Sequence, residues 1–241
     1  MKIRCAWEHN GDDTLLYAVN CPGAYARGAS REQAVEKLPE ELRSYLRWSG
    51  DACPETFEIE VVQEKASALQ IADADSDIIF DGERMPLAEE EYRRLKCLAL
   101  KSAEDFHALY CSVPDKDMSC LPERRTFYGP VPRTAREMYE HTKNVNSYYF
   151  GEIGVDADNE GTIFQCRRRG FELLERRGGF LDAPAAVGSY DELWSVGKVL
   201  RRFLWHDRIH AKAMYRMAVK TFGRCAVKNP FFFSDCRGTT K

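Results

Sequence analysis

The spacing of apolar residues changes once along this chain, from every second position to every third or fourth, and few folds accommodate that switch. Lys2 to Glu8 alternates, and Phe57, Ile59 and Val61 share one face of the run Thr56 to Gln63. Alternation marks half-buried strands, whose side chains point to opposite faces in turn. From Leu87 onward the apolar positions recur at steps of three and four, which lines one side of an α-helix. The expected fold is α+β. A small antiparallel sheet with one helix occupies residues 1–65, residues 66–86 form a linker with one short strand, and residues 87–241 form an all-α four-helix bundle with a C-terminal tail.

The front segment reads β-β-β-α-β. Asn10-Gly11-Asp12-Asp13 has hairpin chemistry, Thr14 to Val19 makes the second strand, and Cys21-Pro22-Gly23 breaks the chain before a short third strand, Ala24 to Ala26, ending at Gly28. Ser30 is the expected N-cap of the helix, with Gln33 as its capping-box partner, and Ala34, Leu38, Leu42 and Tyr45 form its apolar stripe. The Pro22-Gly23 step followed by Gly28-Ala29-Ser30-Arg31-Glu32-Gln33-Ala34 at the helix start resembles the HicB-like antitoxin fold. That resemblance implies a non-catalytic domain that binds a protein partner.

Ala66 to Asp77 is polar and acidic. Asp73, Asp75 and Asp77 alternate, but the glycine and closing glutamate of a calcium loop are not at their required spacings, so calcium is not expected. Ile78-Ile79-Phe80 before Asp81-Gly82 reads as a short strand and a turn. The first bundle helix runs from Leu87 to about Cys111, with Tyr92, Leu95, Leu98, Ala99 and Phe106 inward. A proline-marked loop leads to a second helix, Thr134 to Glu152, opened by a Thr134/Glu137 capping box. Thr162 to Arg177 is the third helix. Ser189, with Glu192 three residues on, is the expected cap of a fourth that runs to about Phe222.

The fourth helix carries two of the chain's five histidines one turn apart, in Leu204-Trp205-His206-Asp207-Arg208-Ile209-His210. Four helical residues advance about 6 Å and return nearly to the same azimuth, so both imidazoles can point at one atom. Val196, Val199, Phe203, His206, His210, Ala213, Met214 and Met217 form one apolar stripe, and histidines on such a stripe need polar partners. His141, with Met138 and Val145 on its side of the second helix, is a third candidate ligand. A shared metal would satisfy all three rings and keep coordination positions open, as a catalytic site requires.

His141 in Glu137-Met138-Tyr139-Glu140-His141, followed by the His206/His210 pair late in the fourth helix, resembles the DinB-like superfamily over roughly residues 87–225. The resemblance implies a divalent ion, often zinc, nickel or manganese, held by His141, His206 and His210. It also implies activities of the thiol-dependent transferase or isomerase kind, using mycothiol, bacillithiol or glutathione on a small-molecule substrate. Homodimers are common in that family. The long loop before Thr134 and the fused front segment depart from its commoner members.

Other residues near the triad are weighed from position alone. Asp207 and Glu140 each neighbour a ligand, and either would orient an imidazole on another helix or lie at the surface as a plain carboxylate. One of Tyr148 and Tyr149 faces the site as a hydrogen-bond donor, or both pack in the core. Cys111 and Cys166 read as buried packing thiols. Asn229-Pro230-Phe231-Phe232-Phe233 reads as a seal on the bundle end rather than a pocket wall.

Composition narrows the classes further. Apolar content of 44% is enough for a core, and no apolar run reaches membrane-span length. The first eight residues read as a strand, not as the apolar core of a signal peptide. Nine cysteines, an odd number with no CxxC pair, argue against a disulfide framework and for free thiols in the cytoplasm. Residues 1–110 carry 13 basic and 22 acidic groups, a net of −9, whereas residues 111–241 carry 22 and 16, a net of +6. The runs Arg167-Arg168-Arg169, Arg176-Arg177 and Arg201-Arg202 read as solvated helix faces, not as a nucleic-acid surface, because no aromatics interleave them. Two functions compete on this reading: a metal-dependent transferase, isomerase or hydrolase, and a non-catalytic module that uses the front segment to recruit protein.

Overall fold

The computed structural model describes residues 1–73, 75–126 and 129–234, so Cys236 and the end of the expected C-terminal tail lie outside the described residues. Four strands and one long helix come first: β1 (Lys2–His9), β2 (Thr14–Ala18), β3 (Tyr25–Gly28), α1 (Arg31–Ser49) and β4 (Glu58–Ala66). The sheet order is β3-β2-β1-β4. The first three strands are antiparallel, but β4 runs parallel to β1, so the sheet is mixed and not antiparallel throughout. A crossover through α1 is long enough to return the chain in the same direction, which a tight hairpin cannot do.

Ser30 caps α1 as expected, accepting from the Gln33 N–H. The side chain of Gln33 returns a bond to Ala29 N–H, one residue before the cap. The sheet is covered on both faces. Ile3, Cys5, Leu16 and Ala18 pack with α1 in the main core, whereas Ala6, Leu15 and Tyr17 face a second cluster with Ile71, Ile78, Phe80 and Trp205. All five residues of β2 are therefore buried.

Four helices follow: α2 (Glu89–Ser112), α3 (Ala135–Gly151), α4 (Ile163–Glu175) and α5 (Val196–Phe222). They pack together around Phe106, Phe150, Phe171 and Phe203, each fully buried. Each such side chain contributes about 1.5–3 kcal/mol relative to exposure. The Thr134/Glu137 capping box opens α3 as expected, and Thr162 with Gln165 opens α4 in the same way. Gly170 lets α4 lie against α3, because a Cβ there would overlap the Phe150 ring.

Several expectations are corrected. Ile78-Ile79-Phe80 is not the short strand expected in the linker. Ile71, Ile78 and Phe80 are buried between the sheet and α5, and the backbone carbonyls of Ser76, Asp77 and Ile78 accept from Arg202, Lys198 and Arg201 respectively. Ser189 does not cap the fourth helix. Ala186–Val187 pairs with Leu193–Trp194 in a small hairpin that takes up Ser189, while Ser195 accepts from Lys198 N–H and starts α5. Glu192 pairs with the buried Lys198 ammonium at 2.8 Å instead of closing a capping box.

The basic runs are not uniformly solvated either. Arg167 and Arg201 are buried and ion-paired, with Asp207 and Glu83. Phe231 and Phe233 stack 5.2 Å apart and Phe231 lies against Trp48, so this end of the chain seals the contact between α1 and α5. Front segment and bundle are joined by polar contacts too: Arg208 meets Glu41 at 2.7 Å, both buried, and Trp48 Nε1 donates to Asp105 at 2.7 Å. Gly23, at φ +100°, brings the β2–β3 turn onto α5, where a Cβ would stand 2.8 Å from Leu204 Cβ.

Among the described residues no helix is long and apolar enough to cross a membrane. The eight described cysteines are all unpaired.

Candidate metal centre

α5 presents a long buried stripe because Val196, Val199, Phe203, Met214 and Met217 recur at helical spacing. His206 lies on that stripe and is buried, and His210, one turn on, is half-buried. His141 comes from α3. It does not share the buried stripe of its helix, as its neighbours Met138 and Val145 had suggested; Met138, Thr142, Asn146 and Tyr149 occupy that stripe, and His141 stands exposed beside it. This offset puts its ring at the mouth of the site, while the α5 pair forms the floor.

The three rings converge. Ring centroids are 5.1 Å apart for His141 and His206, 4.6 Å for His141 and His210, and 4.5 Å for His206 and His210. One ligand nitrogen from each lies within 4.8 Å of the others. A tetrahedral ion with ligands about 2.0–2.1 Å away sets its nitrogens about 3.4 Å apart, so a small closing of the rings completes such a site. His206 Nδ1 is buried with no hydrogen-bond partner, an orphaned lone pair or N–H of the kind a metal ligand leaves when no ion is counted.

The electrostatics favour neutral imidazoles, the form a metal requires. Burial, with His141 nearby, pushes His210 down to about 3. Burial holds His206 well below its ordinary value, helped by His210, His141, Arg202 and Arg167, and desolvation lowers His141. His107 and His9 lie elsewhere, bonded to Tyr139 and Glu64.

The triad opens into a cavity of about 620 Å³. Its walls are not only α3 and α5. Asp73, Asp75, Ser76 and Asp77 of the linker form one side, Arg124, Thr126 and Pro130 to Pro132 another, and Tyr190 and Glu192 a third. Sequence reasoning missed these walls because nothing local ties Asp73, Asp75, Ser76 and Asp77 to a helix more than a hundred positions later. Tyr148 lines the cavity, whereas Tyr149 is buried with its ring 6.0 Å from that of His206. Burial, then Glu152 and Glu192, raises the Tyr148 phenol, which stays protonated. Arg202, one turn before His206, donates to Ser76 O at 2.8 Å and lies over the Trp205 ring at 4.9 Å.

The carboxylates adjacent to the ligands have other partners. Asp207 is fully buried and takes two hydrogen bonds from Arg167, at 2.5 and 3.0 Å, so it is neither a surface carboxylate nor an imidazole's partner. Glu140 is half-exposed and pairs with Lys143 on its own helix at 2.6 Å. Cys166 is buried as expected, but Cys111 is exposed, with its sulfur 3.4 Å from His107 Nε2. Comparison with protein families, with curated proteins and with solved structures finds no match for this chain, so what the site can do rests on its own geometry.

Proposed function

We propose that this chain is a DinB-like divalent-metal-binding protein, in which His141, His206 and His210 hold a zinc, nickel or manganese ion and a small molecule is transformed with a low-molecular-weight thiol as cosubstrate, by transfer or isomerisation. The observation that carries the reading is the convergence of three imidazoles from two helices at one open cavity. A histidine-only set accepts several divalent ions and leaves their charge undiminished. A dication bound there supplies Lewis acidity, which lowers the pKa of a thiol or water brought to it.

The chain's own residues do the rest. Helical packing of α5 sets His206 and His210 in place without the ion, since Phe203, Met214 and Met217 hold the helix from the same stripe. Trp205, Ile209 and Pro130 to Pro132 give the cavity apolar walls that thin out water around a ligand. The protonated Tyr148 phenol offers a hydrogen-bond donor on the α3 side, and the Arg202 guanidinium offers a positive charge one turn from His206. Both suit an anionic group on the substrate or thiol.

The test is elemental analysis after anaerobic purification. About one divalent ion per chain is expected, lost in His141→Ala and in the His206→Ala/His210→Ala pair, with helical circular dichroism retained because packing holds α5. Thiol and electrophile screens on loaded protein then separate transfer and isomerisation from hydrolysis, in which water replaces the thiol. A native protein that takes up no metal overturns the reading and leaves the partner-binding module, with the HicB-like front segment as its contact surface.

A further inference from the structure

Away from the triad, α2 ends in a second group of reactive side chains. Cys111 is exposed, and its sulfur lies 3.4 Å from His107 Nε2, one helical turn back. The other ring nitrogen of His107, Nδ1, is 2.9 Å from the Tyr139 hydroxyl on α3. That hydroxyl accepts from the Ile163 N–H at the start of α4, at 3.2 Å.

These bonds permit a placement of the imidazole proton that serves the sulfur. With its oxygen accepting from Ile163, the Tyr139 hydroxyl has its own proton to donate to Nδ1. A neutral imidazole that accepts at Nδ1 carries its proton at Nε2, the nitrogen turned to Cys111. The sulfur then accepts a hydrogen bond, which steadies the negative charge it carries when it attacks. A helix C-terminus ordinarily opposes a thiolate through its free carbonyls. Here the Lys116 ammonium sits on the Cys111 and Val113 carbonyl oxygens and offsets them. A nucleophilic sulfur, a hydrogen-bond donor beside it and a third group that orients the donor together make an activated thiol.

We propose that Cys111 is a reactive thiol, paired with His107 and oriented through Tyr139, that takes up small disulfides by thiol–disulfide exchange. The Cys111 thiolate attacks one sulfur of the disulfide. A new S–S bond forms as the old one breaks, so Cys111 is oxidised to a mixed disulfide. The other half leaves as a reduced thiolate and takes a proton from solvent, replacing the one Cys111 gave up. The inference is independent of the metal reading, because none of its residues is a candidate ligand.

The chain contains its own comparison. Cys97 is also exposed on α2, nearly three turns from His107. Full-length protein is treated with oxidised glutathione at neutral pH, and peptide mass spectrometry follows the mixed disulfide at each cysteine. A hydrogen bond from the imidazole steadies the sulfur's charge as it attacks, so Cys111 should react about tenfold faster than Cys97. His107→Gln should bring Cys111 down to the rate of Cys97 while the rate of Cys97 stays put, which loosening of the fold would not do. Equal rates at the two cysteines in the wild type, or a Cys111 rate indifferent to His107→Gln, overturns the proposal. Should His107→Gln fail to fold, the wild-type ratio decides alone.

Discussion

Replacing Asp207 with leucine leaves the Arg167 guanidinium in the core without its counter-ion. Both side chains are fully buried, joined by bonds of 2.5 and 3.0 Å, and Arg167 also donates to Ala99 O at 3.1 Å and lies 4.3 Å over the Phe203 ring. Removing one partner of a buried pair strands an uncompensated charge, which costs about 3–5 kcal/mol. For a chain of 241 residues each kcal/mol moves the melting temperature by about 2–4 °C, so Asp207→Leu should melt about 6–20 °C below wild type. Arg167→Met should lose a similar amount. The double variant Arg167→Met/Asp207→Leu carries no stranded charge and should regain most of the loss, short by about 1 kcal/mol for the bond to Ala99 O. Thermal and urea unfolding followed by circular dichroism, read as a double-mutant cycle, measures the coupling directly. The same samples, analysed for metal, should bind as much as wild type in the double variant, since both Asp207 oxygens are spent on Arg167 and none on a ligand histidine. The reasoning fails if Asp207→Leu costs under about 1 kcal/mol, or if the two single losses simply add.

Acid should destabilise the metal-free protein through the triad. The unfolded chain takes up a proton at His210 near its ordinary value of 6.5, and the folded protein resists until about 3, so the stability from this site is whole above 6.5 and is lost as pH falls toward 3. Urea midpoints across that window should fall more steeply for wild type than for His210→Phe, and parallel curves would remove the effect. Ser195→Ala should cost about 1 kcal/mol because its hydroxyl caps α5, whereas Ser189→Ala should stay within about 0.5 kcal/mol; unfolding curves of the two variants distinguish the caps. Gly170→Ala pushes a methyl into the Phe150 ring and should cost about 1–3 kcal/mol, read as a lower urea midpoint, whereas an unchanged midpoint would mean that α3 and α4 separate freely.

Much of the architecture was legible in the residues alone. The β-β-β-α-β order of the front segment, the succession of the four bundle helices, the capping residues Ser30 and Thr134, and the pairing of His206 with His210 all depend on side chains a few positions apart, where backbone geometry dictates which groups share a face. The joining of His141 to that pair was also expected, though its place on an apolar stripe was not, because the stripe of α3 is set by which turn meets α5 and His141 sits just off it.

What only the tertiary structure decided concerns partners distant in sequence. Asp207 looked like a neighbour of a ligand, and its real partner is 40 positions back on another helix. The linker showed no partner in its own sequence, but α5 binds its carbonyls and Trp205 covers its apolar residues, which turns it into a wall of the cavity. Cys111 looked like packing until α3 brought Tyr139 to the far side of His107. A local pattern tells which face of an element must be covered. Which element covers it, and so which charges meet, follows from how all the faces fit at once.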